Sequence, residues 1–283
     1  MSIAVTGATG NLGQLVVEAL ITRGTPASDI VAVVRNPEKA ADLAARGVVV
    51  RKADYTDATA LEAAFAGVDK VVLISGSEVG QRLAQHTNVI NAAKAAGVGF
   101  IAYTSILDAQ DTPMKLAAEH KATEDVLAAS GIPFALLRNG WYWENFLNDL
   151  AGVIERGAVA GAGADGKIAA ASRADYADAA AVVVTTDGHE GAVYELGGDE
   201  RLTYAQFAEK ISEFAGKPVV YQFVPEEAYK GILESVGLPA PVAEILADSD
   251  AAIAKGALDT ESGDLQKLIG RASTPVAEVL KKA

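Results

Sequence analysis

Hydrophobic residues in this chain fall into short unbroken blocks, separated by longer stretches in which they recur every three or four positions. Ile3-Ala4-Val5 is the first block. After a glycine-rich turn come Leu12, Leu15, Val16, Ala19 and Leu20, spaced for one face of a helix. The pattern then predicts strands over 30–34 and 48–50, with helices over 37–45 and 59–65. Further strands are predicted over 71–74, 100–103 and 134–137, with helices over 86–96 and 115–129 between them. Strands that are apolar at every position, not every second one, belong to a sheet covered on both faces. The alternation predicts an α/β fold of Rossmann type, a doubly wound parallel sheet.

After Arg138 the rhythm changes. Aromatic residues occupy 141–143, a glycine-rich stretch follows over 157–166, and Ser172-Arg173-Ala174-Asp175-Tyr176-Ala177-Asp178 precedes an alanine-rich helix. Val193-Tyr194-Glu195-Leu196 reads as a strand returning to the sheet, 203–215, 225–235 and 264–269 as helices, and 219–221 as a strand. Residues 1–138 are therefore expected to form the core of a dinucleotide-binding domain. Residues 139–283 are expected to supply mainly a smaller C-terminal α/β substrate lobe, interleaved with elements that rejoin the first domain.

The turn Gly7-Ala8-Thr9-Gly10-Asn11-Leu12-Gly13 has GxxGxxG spacing. Its placement between an apolar strand and an apolar helical face gives it meaning: residues without a β-carbon let a pyrophosphate approach backbone N–H groups at a helix start. The second predicted strand ends on Arg35, with Lys39 one turn later, and not on a carboxylate. A carboxylate there would accept from a ribose diol, whereas a guanidinium pairs with a 2′-phosphate, so the expected cofactor is NADP, with NADPH preferred over NADH. Arg35 can also be read as an ordinary solvated loop residue. Asp54, after the third strand, is placed either to contact the cofactor or to cap the next turn.

Composition narrows the chemistry. The chain has 283 residues, half of them apolar, enough for a substantial core, and no run of about eighteen uncharged apolar residues. Residues 1–5 carry no signal-type leader, so a soluble cytoplasmic protein is expected. Twenty-four basic against 37 acidic residues give a net charge of −13, which opposes nucleic acid or an anionic membrane as partner. There is no cysteine, which removes disulfides, thiolate nucleophiles and cysteine metal sites. His86, His120 and His189 lack metal-ligand spacing, and no metal is expected. No GxSxG elbow surrounds Ser105, which is expected to line the nicotinamide pocket or to bond backbone.

Taken together, the glycine turn, Ala53-Asp54, Ile74-Ser75-Gly76 and the run from Leu137 through Arg138, Asn139, Gly140, Trp141, Tyr142, Trp143 and Glu144 to Asn145 resemble the NmrA-like group of atypical short-chain dehydrogenases. The likeness is strongest to its quinone-reducing branch and next to its triphenylmethane-reducing branch, and it extends along nearly the whole chain. It implies NADPH at the C-terminal edge of the sheet, contacted by Gly7, Ala8, Thr9, Gly10, Asn11, Leu12, Gly13, Arg35, Asp54, Ser75, Gly76 and Tyr103. Arg138, Asn139, Gly140, Trp141, Tyr142, Trp143 and Arg173 complete the implied cofactor set. In a related branch a lysine aligns with His120, which implies a proton-supplying or relaying role for that histidine, with a plain helix-surface residue as the alternative.

The Tyr-x-x-x-Lys pair of ordinary short-chain dehydrogenases is missing: none of the eight tyrosines has a lysine four residues on. The expected reaction is two-electron reduction of a quinone to a hydroquinone by direct hydride transfer without a flavin. Tyr142, Asn139 and His120 are the candidate catalytic groups, and Trp143, Asn145 and Phe146 the candidate substrate contacts. Core packing of the lobe is the competing reading for the aromatic residues. Two other functions stand beside this one, a redox sensor that binds NADP without turnover and a reductase of triphenylmethane-type acceptors. A homodimer or tetramer is expected only from the frequency of closed assemblies.

Overall fold

The computed structural model describes residues 1–283. Its first half alternates strand and helix: β1 (Ile3–Thr6), α1 (Asn11–Thr22), β2 (Ile30–Val34), α2 (Ala41–Ala45), β3 (Val49–Lys52), α3 (Ala58–Phe65), β4 (Lys70–Leu73), α4 (Arg82–Ala95), β5 (Phe100–Ile106), α5 (Ala117–Ser130) and β6 (Phe134–Asn139). The second half contains α6 (Trp143–Phe146), α7 (Leu150–Arg156), β7 (Ala158–Gly161), β8 (Lys167–Ile168), α8 (Arg173–Thr185), β9 (Val193–Leu196), β10 (Leu202–Thr203) and α9 (Tyr204–Ala215). It closes with β11 (Val220–Phe223), α10 (Glu226–Ser235), α11 (Ala240–Ala252), α12 (Asp264–Ile269) and α13 (Val276–Leu280).

Seven strands form one sheet in the order β3-β2-β1-β4-β5-β6-β9. Beside β1 the parallel register runs Ile3 against Ile30 on one side and Ile3 against Lys70 on the other. The strand order therefore reverses at the C-terminal end of β1, the switch point where doubly wound sheets take ligands. β1, β2 and β5 are buried at every residue, as their unbroken apolar sequences require. β3 falls one residue later than its valines predict and runs on through Arg51 and Lys52, because an edge strand needs only one apolar flank. Arg51 donates to the carbonyls of Ala64 and Ala66, closing the C-terminal end of α3.

Two compact units emerge. The first comprises Met1–Ile106, Glu119–Arg138 and Arg173–Tyr194; the second comprises Leu107–Ala118, Asn139–Ser172 and Glu195–Ala283. In the first, α8 packs along α1, and Arg23 reaches Asp178 at 2.6 Å. Its core joins Val31, Val33, Phe65, Leu73, Ile90, Ile101, Tyr103 and Leu127. In the second, β7 pairs in parallel with β11 and β8 antiparallel with β10. Thr203 caps α9 with a reciprocal pair of hydrogen bonds to Gln206. No helix is long and apolar enough to cross a membrane.

Candidate active site

The glycine turn closes β1 onto α1. Gly7 sits at φ +58°, a left-handed conformation that glycine adopts without steric cost, and its carbonyl accepts the N–H of Gly10 at 2.8 Å. Gly10 itself occupies the cap position of α1 and no side chain satisfies the N–H groups of the first turn, so that helix end presents donors and a positive dipole. At Gly13 a β-carbon would lie 2.2 Å from the Gly7 carbonyl oxygen, so the turn and helix touch only because residue 13 has no side chain. Beneath the turn, the Tyr55 hydroxyl lies 2.6 Å from Thr6 Oγ1 and 2.8 Å from the Ile74 carbonyl, and Thr6 Oγ1 accepts the Ile74 N–H. Burial holds the Tyr55 phenol far above its ordinary range. Tyr55 thus ties β1 to the β4 loop, a link that carries no sequence signature.

Arg35 stands just beyond β2 with its side chain 70% exposed, and its Nη1 reaches Glu78 at 3.0 Å. Asp54 accepts from both the backbone N–H and the hydroxyl of Thr56, at 2.8 and 2.6 Å. Those bonds, more than the nearby Arg35, lower its pKa. Of the two roles open to Asp54, the turn cap is the one its hydrogen bonds display.

The loop after β4 is held from both sides. Ser75 N–H donates to Thr104 Oγ1 at 2.9 Å, and Gly76 N–H donates to His86 Nε2 at 3.0 Å. Arg82 Nε returns a bond to the Gly76 carbonyl, so α4 grips both polar groups of one residue. An accepting Nε2 places the imidazole proton on Nδ1, which donates to Thr123 Oγ1 at 3.0 Å, and Thr123 donates in turn to the Glu119 carbonyl at 2.8 Å. Burial, reinforced by Arg82, lowers the His86 pKa to about 4.

His120 is 4% exposed and lies 2.8 Å, through Nδ1, from the hydroxyl of the wholly buried Tyr103. Burial first, then Arg82 and His86, bring its pKa down to about 3. It is therefore no helix-surface histidine, and at neutral pH its imidazole is uncharged. Tyr103, assigned above to the cofactor, spends its hydroxyl on His120 inside the first unit and has no exposed surface. Arg138 is likewise committed: its Nε and Nη2 grip Glu124 at 3.0 and 2.7 Å, and Glu124 also accepts the Ser105 hydroxyl at 2.6 Å. Ser105 thus meets a carboxylate, where backbone or the nicotinamide had been expected.

In the second unit, Asn139 is buried. Its Nδ2 approaches the Tyr142 hydroxyl at 3.4 Å, while its Oδ1 has no hydrogen-bond partner. The segment is pinned by main-chain bonds: Ala171 N–H to the Trp141 carbonyl and Trp143 N–H to the Ala171 carbonyl, both 3.1 Å. Trp143 is 1% exposed and stacks on Phe207 at 5.5 Å. Phe146 packs against Trp143, Phe207 and Tyr204. Trp143 is thus buried as an anchor against α9, whereas Phe146 packs on the same rings and remains half-buried. Trp141, Tyr142 and Asn145 are half-buried, as is Arg173 at the start of α8. Nearby in the same unit, the buried Asp250 accepts from the Tyr204 hydroxyl and the Ala162 N–H, yet burial outweighs both bonds and lifts its pKa to about 6.

The sequence model of the NmrA-like family matches residues 1–276. The chain belongs to the NmrA-like family. Within it, Quinone oxidoreductase 2 of Escherichia coli strain K12 is 56% identical over 276 residues, 98% of this chain and 96% of that protein. The crystal structure of the Escherichia coli NADPH-dependent quinone oxidoreductase complexed with NADPH superposes at a TM-score of 0.96 with 55% identity, covering 99% of each chain. Triphenylmethane reductase of Citrobacter sp., crystallised with NADP(H), superposes at 0.95 with 44% identity over 100% of both chains. The NmrA-like sheet and glycine turn were thus legible in the sequence. Tyr55, Arg82, Glu78 and the role of His86 were not, since they are polar residues spaced with no motif of their own.

Proposed function

We propose that this chain is an NADPH-dependent quinone oxidoreductase that works without a flavin. The observation that carries the reading is the glycine turn of Gly7, Gly10 and Gly13 at the uncapped start of α1, present in a chain 56% identical to a quinone oxidoreductase over 98% of its length. A dinucleotide fits this cradle. The space a side chain at Gly13 would need is already filled by the turn's own backbone, and the N–H groups at the start of α1 suit a pyrophosphate. Arg35 would meet the 2′-phosphate, and the fixed Ser75-Gly76 loop would border the cofactor. Bound NADPH supplies the hydride.

The residues of the chain supply position and charge stabilisation. Negative charge develops on quinone oxygen, and the Asn139 amide and Tyr142 hydroxyl are donors of the kind that stabilise it. His120, neutral and bonded to Tyr103, supports the fold of the first unit and is not the acid. Water suffices for protonation, because a hydroquinone anion spreads its charge over an aromatic ring. The reading places the enzyme in the cytoplasm as a closed homodimer or tetramer, which sedimentation would check.

The test is anaerobic NADPH oxidation with a quinone panel, with and without added flavin, for wild type, Tyr142→Ala and His120→Ala after circular dichroism shows each folded. Turnover without flavin, reduced more by Tyr142→Ala than by His120→Ala, is the expected result. Flavin-dependent turnover, or a thousandfold loss confined to His120→Ala, would overturn the scheme. The likeness to triphenylmethane reductase favours a second acceptor class, and cationic dyes in the same panel would rank it against quinones.

A further inference from the structure

Arg35 does not wait at the end of β2 as an isolated cation. Its Nη1 is 3.0 Å from Glu78 Oε1, and the other carboxylate oxygen of Glu78 accepts from Gln85 Nε2 at 2.7 Å. Gln85 is a buried residue of α4 whose Oε1 sits close beneath Gly76. The segment on the far side of Glu78 is equally fixed, since Glu119 accepts the N–H groups of Gly80 and Arg82, both at 3.1 Å. Glu78 is therefore a side chain of the surface held in place from the interior. Asp54 also lies in the field of Arg35, but its carboxylate is spent on Thr56. Only Glu78 pairs directly with the guanidinium.

We infer that Glu78 is a specificity-determining residue that competes with the cofactor's 2′-phosphate for Arg35 and so narrows the preference of the enzyme for NADPH over NADH. The inference rests on the reading of Arg35 given above. A 2′-phosphate approaching Arg35 must displace Glu78 or share the guanidinium with it, and in either case it brings negative charge beside a carboxylate anchored by Gln85. NADH, with a neutral ribose diol, meets no such opposition. Specificity is a difference of two affinities, and a built-in repulsive group moves only one of them. Arg35 and Glu78 together set a graded preference where Arg35 alone would set a steep one. An exposed ion pair is worth roughly a factor of 1.5 to 5 in affinity. Removing the repulsion between carboxylate and phosphate adds to that, so Glu78→Gln should tighten NADPH about threefold to tenfold.

The decisive experiment is calorimetric titration of the full chain with NADPH, NADH, adenosine 2′,5′-bisphosphate and AMP, at low and moderate salt. For Glu78→Gln, which preserves the bond to Gln85, the two ligands bearing a 2′-phosphate should bind about threefold to tenfold tighter, while NADH and AMP move less than twofold. The gain should shrink with added salt and be smaller in the Arg35→Ala background, where only the direct carboxylate–phosphate repulsion is relieved. Equal changes for all four ligands, or weaker NADPH binding, would make Glu78 a loop-holding residue and overturn the inference. If NADPH and NADH bind wild type equally and Arg35→Ala alters neither, the assignment of Arg35 fails, and the role of Glu78 fails with it. If Arg35→Ala weakens NADPH alone while Glu78→Gln leaves it unchanged, Arg35 stands and only the Glu78 inference falls.

Discussion

Replacing Gly13 with alanine separates what the glycine turn does for the fold from what it does for a ligand. The added methyl would stand 2.2 Å from the Gly7 carbonyl oxygen and 2.8 Å from Ala8 Cα, where real β-carbons essentially never come within 3.0 Å. The Gly7 peptide must retreat by close to 1 Å, at an overpacking cost of about 1–3 kcal/mol. That movement also strains the bond from Gly10 N–H to the Gly7 carbonyl, worth about 1 kcal/mol. Alanine recovers about 1 kcal/mol through its better helix propensity within α1. The net loss is about 1–3 kcal/mol, and Tm should fall by roughly 3–10 °C. Gly10→Ala is the control: its β-carbon meets only the Gly7 oxygen, at 3.2 Å, and its φ of −80° suits any residue. Without ligand that variant should stay within about 1 kcal/mol of wild type, yet it should lose at least about tenfold in NADPH affinity, because its methyl faces the approach of the pyrophosphate. Urea unfolding and calorimetry on both variants give the four numbers needed. Wild-type stability and wild-type NADPH binding for Gly13→Ala, or equal destabilisation by the two substitutions, would refute this account of the turn.

Three further outcomes are expected. Between about pH 4 and 6, unfolding releases His86 and His120 to bind protons that the native state excludes, whereas Asp250 carries a proton in the native state that it gives up on unfolding. The histidines make stability rise with pH and Asp250 makes it fall. The net of one proton gives a rise of about 1.4 kcal/mol per pH unit, which urea titrations across the range would measure and which His86→Gln should remove. Glu124→Ala removes the bidentate carboxylate from the half-buried Arg138 guanidinium and should cost about 3–5 kcal/mol in chemical denaturation; a neutral effect would return Arg138 to the cofactor set. Trp143→Ala should cost about 3–5 kcal/mol through the lost stack on Phe207, and a change in acceptor preference without loss of stability would restore Trp143 to the substrate contacts.

What the sequence made legible was the apolar pattern and the turn, because continuous Val, Ile and Ala blocks and glycine spacing report directly on a covered sheet and a bare helix end. Boundaries slipped where a buried face is polar. The inward face of α4 carries Arg82, Gln85 and His86 ahead of Val89 and Ile90, so a search for apolar periodicity begins the helix four residues late. On α5 the interior residues include His120, Thr123 and Glu124, and their burial could not be read from residue type, since such side chains go inside only when partnered. The partners are Tyr103 and Ser105 of β5, His86 of α4 and Arg138 of β6, all outside α5 itself. For the same reason Tyr103 and Trp143 looked available for ligands until packing assigned them. α11 went unseen although Pro239-Ala240-Pro241 marks its start, because its first turns alternate little between apolar and polar.

The way α8 completes the first unit bears on how this chain is made. Residues Arg173–Tyr194 leave the ribosome only after Asn139–Ser172, which belong to the second unit, and α8 is the helix that lies along α1. A nascent chain ending near residue 138 therefore holds its nucleotide turn and most of its strands, but α1 is uncovered and Arg23 has no Asp178. Nearly two hundred residues must be synthesised before the cradle acquires its lasting support. Throughout that interval the flank of α1 that α8 covers is open to other chains or to chaperones. A cut at residue 138, although it respects the change in sequence rhythm, would not yield a freely folding nucleotide-binding fragment, whereas a version joining 1–106, 119–138 and 173–194 through short linkers would hold every segment that unit requires.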